Sequence, residues 1–324
     1  MNDRPRFAGI TLSIAAVERD TGLSKDTLRV WERRYGFPTP GRDDLGERAY
    51  APEQVAKLRI IKRLLDAGHR PGRIVPLPAQ ALQHLAENTV DQPHRGAAKV
   101  LLDCADLRAD LRAHLALIRS HDTTALRHEL THLLLRFGLA RFVVGVVAPL
   151  NAAVGDAWMR GQMEIFEEHS YTEVVQSVLR QAIAGIPAAD QMVRPRVLLS
   201  TFPGEPHGLG LLMAEALFAL QGCHCVSLGV QTPLWDIVLA AAAYRADIVA
   251  LSFTGCMNPN QVVEGLVELS AKLPPQVRLW AGGSAPVLHR RGVPGVLALA
   301  GFDELALQLQ RWRVAAAAAE GPAG

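Results

Sequence analysis

Cysteine is scarce: 324 residues hold Cys104, Cys223, Cys225 and Cys256 only, with no C-x-x-C pair among them. That spacing supports neither a disulfide framework nor a cysteine-built zinc site, and it fits a reducing cytosol. Cys223 and Cys225 alternate on an expected strand and read as packing residues. Long apolar runs are also lacking. The most apolar stretch, 142–154, is short and contains Pro149 and Asn151, so no membrane span is expected. The first residues run into Glu18-Arg19-Asp20 without a cleavage-like site, and a cytoplasmic protein is expected. No excess of one charge marks the whole chain, which carries +2. The balance is uneven, however. Residues 1–75 hold 15 Lys+Arg against 10 Asp+Glu, a local +5 that leaves −3 on the remainder. A basic front end on a slightly acidic body points to a polyanionic partner for the first domain alone.

Within that front end, Ile14, Ala15 and Val17 open a short helix that Gly22 terminates, and Ser24 caps a second helix running to Tyr35. Leu28 and Trp31, three apart, share a buried face. Lys25, Thr27, Arg29, Arg33 and Arg34 are left for a solvated or DNA-facing surface. Residues 36–42 are too rich in Gly and Pro for a helix, and Arg42, Arg48 and Tyr50 precede a helix opened by Pro52. The order is helix, turn, helix, then a looped wing bearing arginines.

The string 27–36, Thr-Leu-Arg-Val-Trp-Glu-Arg-Arg-Tyr-Gly, followed by Pro40, Arg42, Arg48, Tyr50 and a helix over 55–68, resembles the MerR family of transcription regulators. The resemblance implies a recognition helix in the major groove of a double-stranded DNA operator and wing arginines on phosphates. It also implies a homo-oligomer, dimer or tetramer, spanning a two-fold site. Pro71, Pro76 and Pro78 interrupt the long dimerisation helix that most relatives carry at this point. Assembly is therefore expected to use the other domains.

From Leu77 to about Asp103 a linker with one short helix is expected. Four helical stretches follow, 107–120, 123–137, 140–158 and 164–184, with apolar residues such as Leu126, Leu130, Leu133 and Leu134 at helical spacing. They predict a four-helix bundle. After Arg196 the pattern changes to strands at 197–199, 224–228, 248–252 and 278–281 alternating with helices, which predicts a doubly wound parallel sheet. The expected organisation is multidomain: a winged helix-turn-helix (8–78), a linker (79–104), a helical bundle (105–190), an α/β Rossmann-like domain (194–314) and a tail (315–324).

The turn Glu205-Pro206-His207-Gly208-Leu209-Gly210 falls between an apolar strand and an apolar helix. It presents one imidazole at the carboxyl edge of the sheet, where open α/β folds bind ligands. A carboxylate two residues away can hold one ring N–H and fix the tautomer of a metal-ligating histidine. Ser252 and Thr254 end the third strand, and Gly282-Gly283 ends the fourth, so hydroxyls and bare backbone line the same edge. In the helical part, Glu168 and His169 follow Trp158 by ten and eleven residues. A large planar cofactor gripped between bundle and sheet fits this set.

These features resemble the cobalamin-binding module of methionine synthase and its relatives, and with the MerR-like front end the chain resembles CarH/LitR-type regulators over residues 10–313. The resemblance implies that His207 is the lower cobalt ligand, Glu205 its partner, and Gly210 the glycine of the binding turn. Ser252, Thr254, Gly282 and Gly283 become contacts for the nucleotide tail, and Trp158, Glu168 and His169 shape the upper face. Adenosylcobalamin is the expected cofactor, with methylcobalamin as the alternative. The expected activity is light-responsive repression in the dark, without catalysis. The sequence departs from some light sensors of this group in having Met159, where they carry a histidine. Two other readings stay open: a corrinoid methyl-transfer protein, and a MerR-type regulator that needs no cobalamin.

Overall fold

The computed structural model describes residues 11–43, 46–66, 69–89, 111–187, 194–255 and 257–320. Two compact units result: residues 1–93 with 156–162, and residues 94–155 with 163–324.

In the first unit, β1 (Leu12–Ser13) leads into α1 (Ile14–Thr21) and α2 (Lys25–Tyr35). Serines start both helices, with Ser13 Oγ accepting from Ala16 N–H at 3.3 Å and Ser24 Oγ from Thr27 N–H at 3.1 Å. Glycines stop them: Gly22 and Gly36 adopt φ 69° and 67°, the left-handed conformation that only glycine enters without strain. The wing strands β2 (Gly41–Arg42) and β3 (Arg48–Tyr50) join β1 in an antiparallel sheet of order β1-β3-β2. Helix α3 (Pro52–Asp66), the short α4 (Pro71–Ile74) and α5 (Ala79–Thr89) complete the unit. Leu82 and Ala86 of α5 are buried in the same core as Val17, Leu28, Trp31, Leu58 and Ile61. The expected linker thus begins with a packed helix, and residues 90–103 lie outside the described residues. Pro71 stands at the first turn of α4, where its missing N–H costs nothing.

In the second unit, α6 (Leu111–Arg119), α7 (Thr123–Phe137), α8 (Leu139–Met159) and α9 (Ile165–Ala184) form the helical part, α8 crossing into the first unit at its end. The expected helix start at 107–110 lies outside the described residues. Helix α8 is continuous through Pro149 and Asn151 and includes a π-helical stretch, Phe142–Val147. Its 21 residues are long and apolar enough to cross a membrane by length and composition, contrary to the short run expected. Phe142, Val143, Val146, Val147, Leu150 and Val154 are buried in the fold. Asn151 joins the helical part to the α/β part. It accepts a hydrogen bond from Tyr171 Oη of α9, and its amide lies 3.4 Å from Met213 Sδ.

The α/β part contains β4 (Arg196–Ser200), α10 (Leu209–Leu220), β5 (His224–Ser227), α11 (Leu234–Ala243), β6 (Ile248–Phe253) and α12 (Pro259–Lys272). It continues through β7 (Arg278–Gly283), α13 (Val287–Arg290), β8 (Val296–Ala298) and α14 (Phe302–Glu320). All five strands are parallel in the order β5-β4-β6-β7-β8, with Val197 beside Ile248 and Leu251 beside Ala281. Central strands covered on both faces are mostly apolar, and all six residues of β6, Ser252 included, are buried. Alternate side chains serve opposite faces. Leu198, Val249, Leu251, Phe253 and Leu279 pack with Ile237, Val262 and Leu266 of α11 and α12. Trp280 meets Phe218 of α10 across the sheet's other side, at 5.9 Å between ring centroids.

The register brings Gly283 against β6 so closely that a Cβ there would lie 2.1 Å from the Phe253 carbonyl oxygen, at a φ of +114°. Gly283→Ala therefore combines backbone strain with overpacking, and a loss of about 2–5 kcal/mol is expected. Urea unfolding followed through the Trp280 signal checks it.

Candidate functional site

The carboxyl ends of β4 and β6 meet at one buried acid. After Ser200, Thr201 is buried, and its hydroxyl donates to the Glu205 carbonyl at 2.7 Å while accepting from Gln231 N–H at 2.8 Å. That pair of bonds fixes the loop from both sides. Glu205 is 0% exposed, yet its carboxylate is fully engaged. It accepts from His207 Nδ1 at 2.7 Å, from His207 N–H at 3.2 Å, from Thr254 N–H at 2.7 Å and from Thr254 Oγ1 at 2.8 Å. Burial pushes this carboxyl upward, but the hydrogen bonds from His207 and Thr254 outweigh burial and hold it below the usual carboxylate range. An ionised carboxylate can only accept, so His207 places a ring proton on Nδ1, and in the neutral ring the lone pair is then on Nε2. The imidazole side chain is 54% exposed. A buried charge with an exposed, oriented imidazole is the arrangement that prepares one nitrogen for a metal.

Among the described residues, no cluster of three or more His, Cys, Asp or Glu is placed to hold a metal ion. One oriented imidazole suits a metal whose other positions are filled by a macrocycle. The backbone around it is pared down accordingly. Gly210 lies under Ser252, where a Cβ would come within 2.9 Å of the serine hydroxyl. Ser252 is buried, Gly282 half-buried and Gly283 exposed, on adjoining strand ends paired Ser252 to Gly282 and Phe253 to Gly283. The residues present fit a corrinoid in that His207 would hold its metal beside the strand ends of Ser252 and Gly282, while Gly210 and Gly283 are required by the close approach of Ser252 and Phe253.

The other expected contacts lie apart from the turn in sequence, and Trp158 also in unit. Glu168, half-buried on the first turn of α9, accepts from Thr172 Oγ1 at 2.8 Å, and His169 is exposed with Nε2 3.6 Å from Glu168. Trp158 and Met159 fall in the stretch that clusters with the first unit. There the guanidinium of Arg63, a residue only 5% exposed, lies 4.9 Å from the Trp158 ring centroid.

In the first unit, Arg29, Arg33, Arg34 and Arg42 are exposed, and Lys25 and Thr27 are half-buried. Arg48 is drawn inward, its Nε 2.9 Å from Glu32 Oε2, so it ties the wing to α2. Tyr50 is 0% exposed and sits in the core, where its ring meets no solvent.

Two features escaped the sequence reading. Thr254 is the second donor residue on Glu205, found only once β6 lies beside β4. A cavity of about 190 Å³ opens between Gln176, Arg180, Glu215 and Ser227, bordered by Pro206 and Gly208 on either side of His207. Thr254→Val leaves the buried carboxylate short of a donor, and stability falls by about 1–3 kcal/mol. Thermal unfolding of the full chain checks this, with Thr254→Ser, which keeps the hydroxyl, expected within about 1 kcal/mol of the parent.

Comparison with known proteins bears on this geometry. Residues 12–77 match the family model of MerR HTH family regulatory proteins. Residues 195–309 match a B12 binding domain, and residues 111–183 a second model of the same description. The HTH-type transcriptional repressor CarH of Myxococcus xanthus is 29% identical over 269 residues, 83% of this chain and 87% of that protein. CarA, an HTH-type transcriptional repressor of the same organism, is 26% identical over 272 residues, 82% and 85% of the two chains. The solved monomethylamine corrinoid protein of Methanosarcina barkeri is 16% identical, covering 61% of this chain and 96% of its own, with a TM-score of 0.47. Both of these relatives are transcriptional repressors. The chain therefore carries a MerR-family helix-turn-helix followed by two B12-binding regions, the make-up of a cobalamin-binding MerR-type transcriptional regulator homologous to CarH and CarA.

Proposed function

We propose that the protein is a cytoplasmic repressor whose hold on operator DNA is set by adenosylcobalamin and released by light. The observation that carries this reading is the exposed His207 imidazole held on a fully buried Glu205, in a chain that also bears a winged helix-turn-helix. His207 would be the lower ligand, with Glu205 orienting it and Thr254 anchoring Glu205. Ser252, Gly282 and Gly283 would border the nucleotide tail, and Trp158, Glu168 and His169 would shape the upper side. When bound, the cofactor supplies a cobalt–carbon bond that visible light cleaves.

A ligand shifts an equilibrium only through unequal affinity for its states. The favoured state here is a dimer or tetramer that sets two or more winged helices on a two-fold site. Residues 8–78 would bind DNA, 105–190 would cover the cofactor and 194–314 would carry it, with 79–104 as linker. Met159 provides no imidazole beside Trp158, so the state after illumination would be held by other groups. Arg29, Arg33, Arg34 and Arg42 are the exposed cations of the DNA face, while Arg48 acts through Glu32 to set the wing.

Two measurements test this. The full chain reconstituted with adenosylcobalamin is expected to give a base-off, histidine-on absorption spectrum that His207→Ala removes. Gel shifts on a selected operator should show tight binding in darkness and loss after green light; binding unchanged in all conditions ends the light-switch reading. For the DNA face, Arg33→Ala is expected to lower affinity evenly across sequences. It should also reduce the slope of log K against log salt by about 0.9, the share of one phosphate contact.

A further inference from the structure

Among the described residues, Arg63 is the only buried lysine or arginine, 5% exposed on helix α3 of the DNA-binding unit. A guanidinium withdrawn from water is costly unless other groups take the water's place. Two groups that do so come from the end of α8, a stretch that clusters with this same unit. The Trp158 ring lies under the guanidinium, whose carbon is 4.9 Å from the ring centroid. Gly161 approaches it as well, since a Cβ there would lie 3.2 Å from Arg63 Nη1. The end of α8 is shaped for this contact. Gly161 adopts φ 67°, its N–H donates to the Trp158 carbonyl at 3.0 Å, and Gln162 N–H donates to the Ala157 carbonyl at 2.9 Å. This pair of bonds is a glycine-ended helix stop, and it presents indole and bare backbone together as one seat for Arg63.

A planar guanidinium stacks on an aromatic face in a way that an ammonium on a flexible stem does not. Arg63 therefore fixes the ring as well as filling space. The ring itself stays half-buried, so area that Arg63 does not take is open to a second partner. By the reading above, that partner is the upper group of the cofactor. We infer that Arg63 is a positioning residue of the cofactor switch: from within the DNA-binding unit it holds Trp158 in place for the adenosyl group. The upper ligand and the DNA-binding unit are then coupled through this one ring. The inference rests on the cobalamin reading above. Such coupling is reciprocal in binding free energy, so whatever the Arg63 contact adds to adenosylcobalamin affinity, adenosylcobalamin adds to the Arg63 contact. A cobalamin with a small upper ligand is indifferent to where the ring stands, which separates the work of Arg63 from that of His207.

The test uses the full chain in darkness with adenosylcobalamin and hydroxocobalamin. Arg63→Met, which keeps a stem and removes the planar cation, is expected to weaken adenosylcobalamin binding by about fivefold and hydroxocobalamin binding by less than about twofold. In the cofactor-free chain labelled with 5-fluorotryptophan, the Trp158 fluorine resonance, assigned by its loss in Trp158→Phe, should move in Arg63→Met. The resonance of Trp280, on β7, should stay. An equal loss for both cobalamins makes Arg63 merely structural and overturns the inference, as does unchanged adenosylcobalamin binding or an unmoved Trp158 resonance. Should Arg63→Met fail to fold, Arg63→Lys decides on the same terms, with a loss of about twofold or more expected for adenosylcobalamin alone. These outcomes leave His207 ligation intact. Trp158→Ala that binds adenosylcobalamin as tightly as wild type overturns both the inference and the placing of Trp158 on the upper side, and a wild-type chain that takes up neither cobalamin overturns the cobalamin reading with it.

Discussion

A carboxylate buried to 0% exposure is the interaction on which the α/β half depends. An unpaired charge in that position would be expensive, and the cost is met by hydrogen bonds from His207 and Thr254. Each donor has a second consequence. The bond from Nδ1 sets the imidazole's tautomer, and the bonds from Thr254 lock the end of β6 to the turn after β4. Electrostatic need and site geometry are therefore one requirement, and neither can be relaxed without the other.

The helical part contributes more than a cover. Asn151 and Tyr171 connect α8, α9 and α10 by polar contacts within a largely apolar interface, which fixes how α9 lies along α10. Gln176 and Arg180 consequently reach the level of the His207 turn, and the first two turns of α9, with Glu168 and His169, lie farther along the helix axis at about 1.5 Å per residue. In the first unit, the Arg48–Glu32 pair performs a similar alignment, holding the wing on α2 while the remaining arginines stay exposed.

Local chemistry was legible in the sequence wherever one residue type decides the outcome. Ser24, Gly22 and Gly36 mark helix ends because a side-chain acceptor or a positive φ is needed there. The apolar runs mark parallel strands, buried throughout in β6 and only partly buried at the edge strand β5. Glu205 and His207, two apart, signal their own hydrogen bond. What escaped was set by distant pairing. Thr254 lies 49 residues from Glu205 and meets it only through the β4–β6 register. The three-residue β8 is too short to carry a period, and α5 looked like linker because its burial is supplied by α3. Tyr50 and Arg48 resemble surface wing residues in composition, and only the three-stranded sheet turns one into the core and the other onto Glu32.

The bridge from Thr254 to Glu205 also imposes an order on how the protein comes into being. As the chain leaves the ribosome, His207 is made nearly fifty residues before the threonine that steadies its partner. Until β6 inserts beside β4, the acid has only the donors of His207. The full set of donors on Glu205 thus arrives late in synthesis, and a fragment ending before residue 254 has the Glu205–His207 pair without the strand-end residue that anchors it.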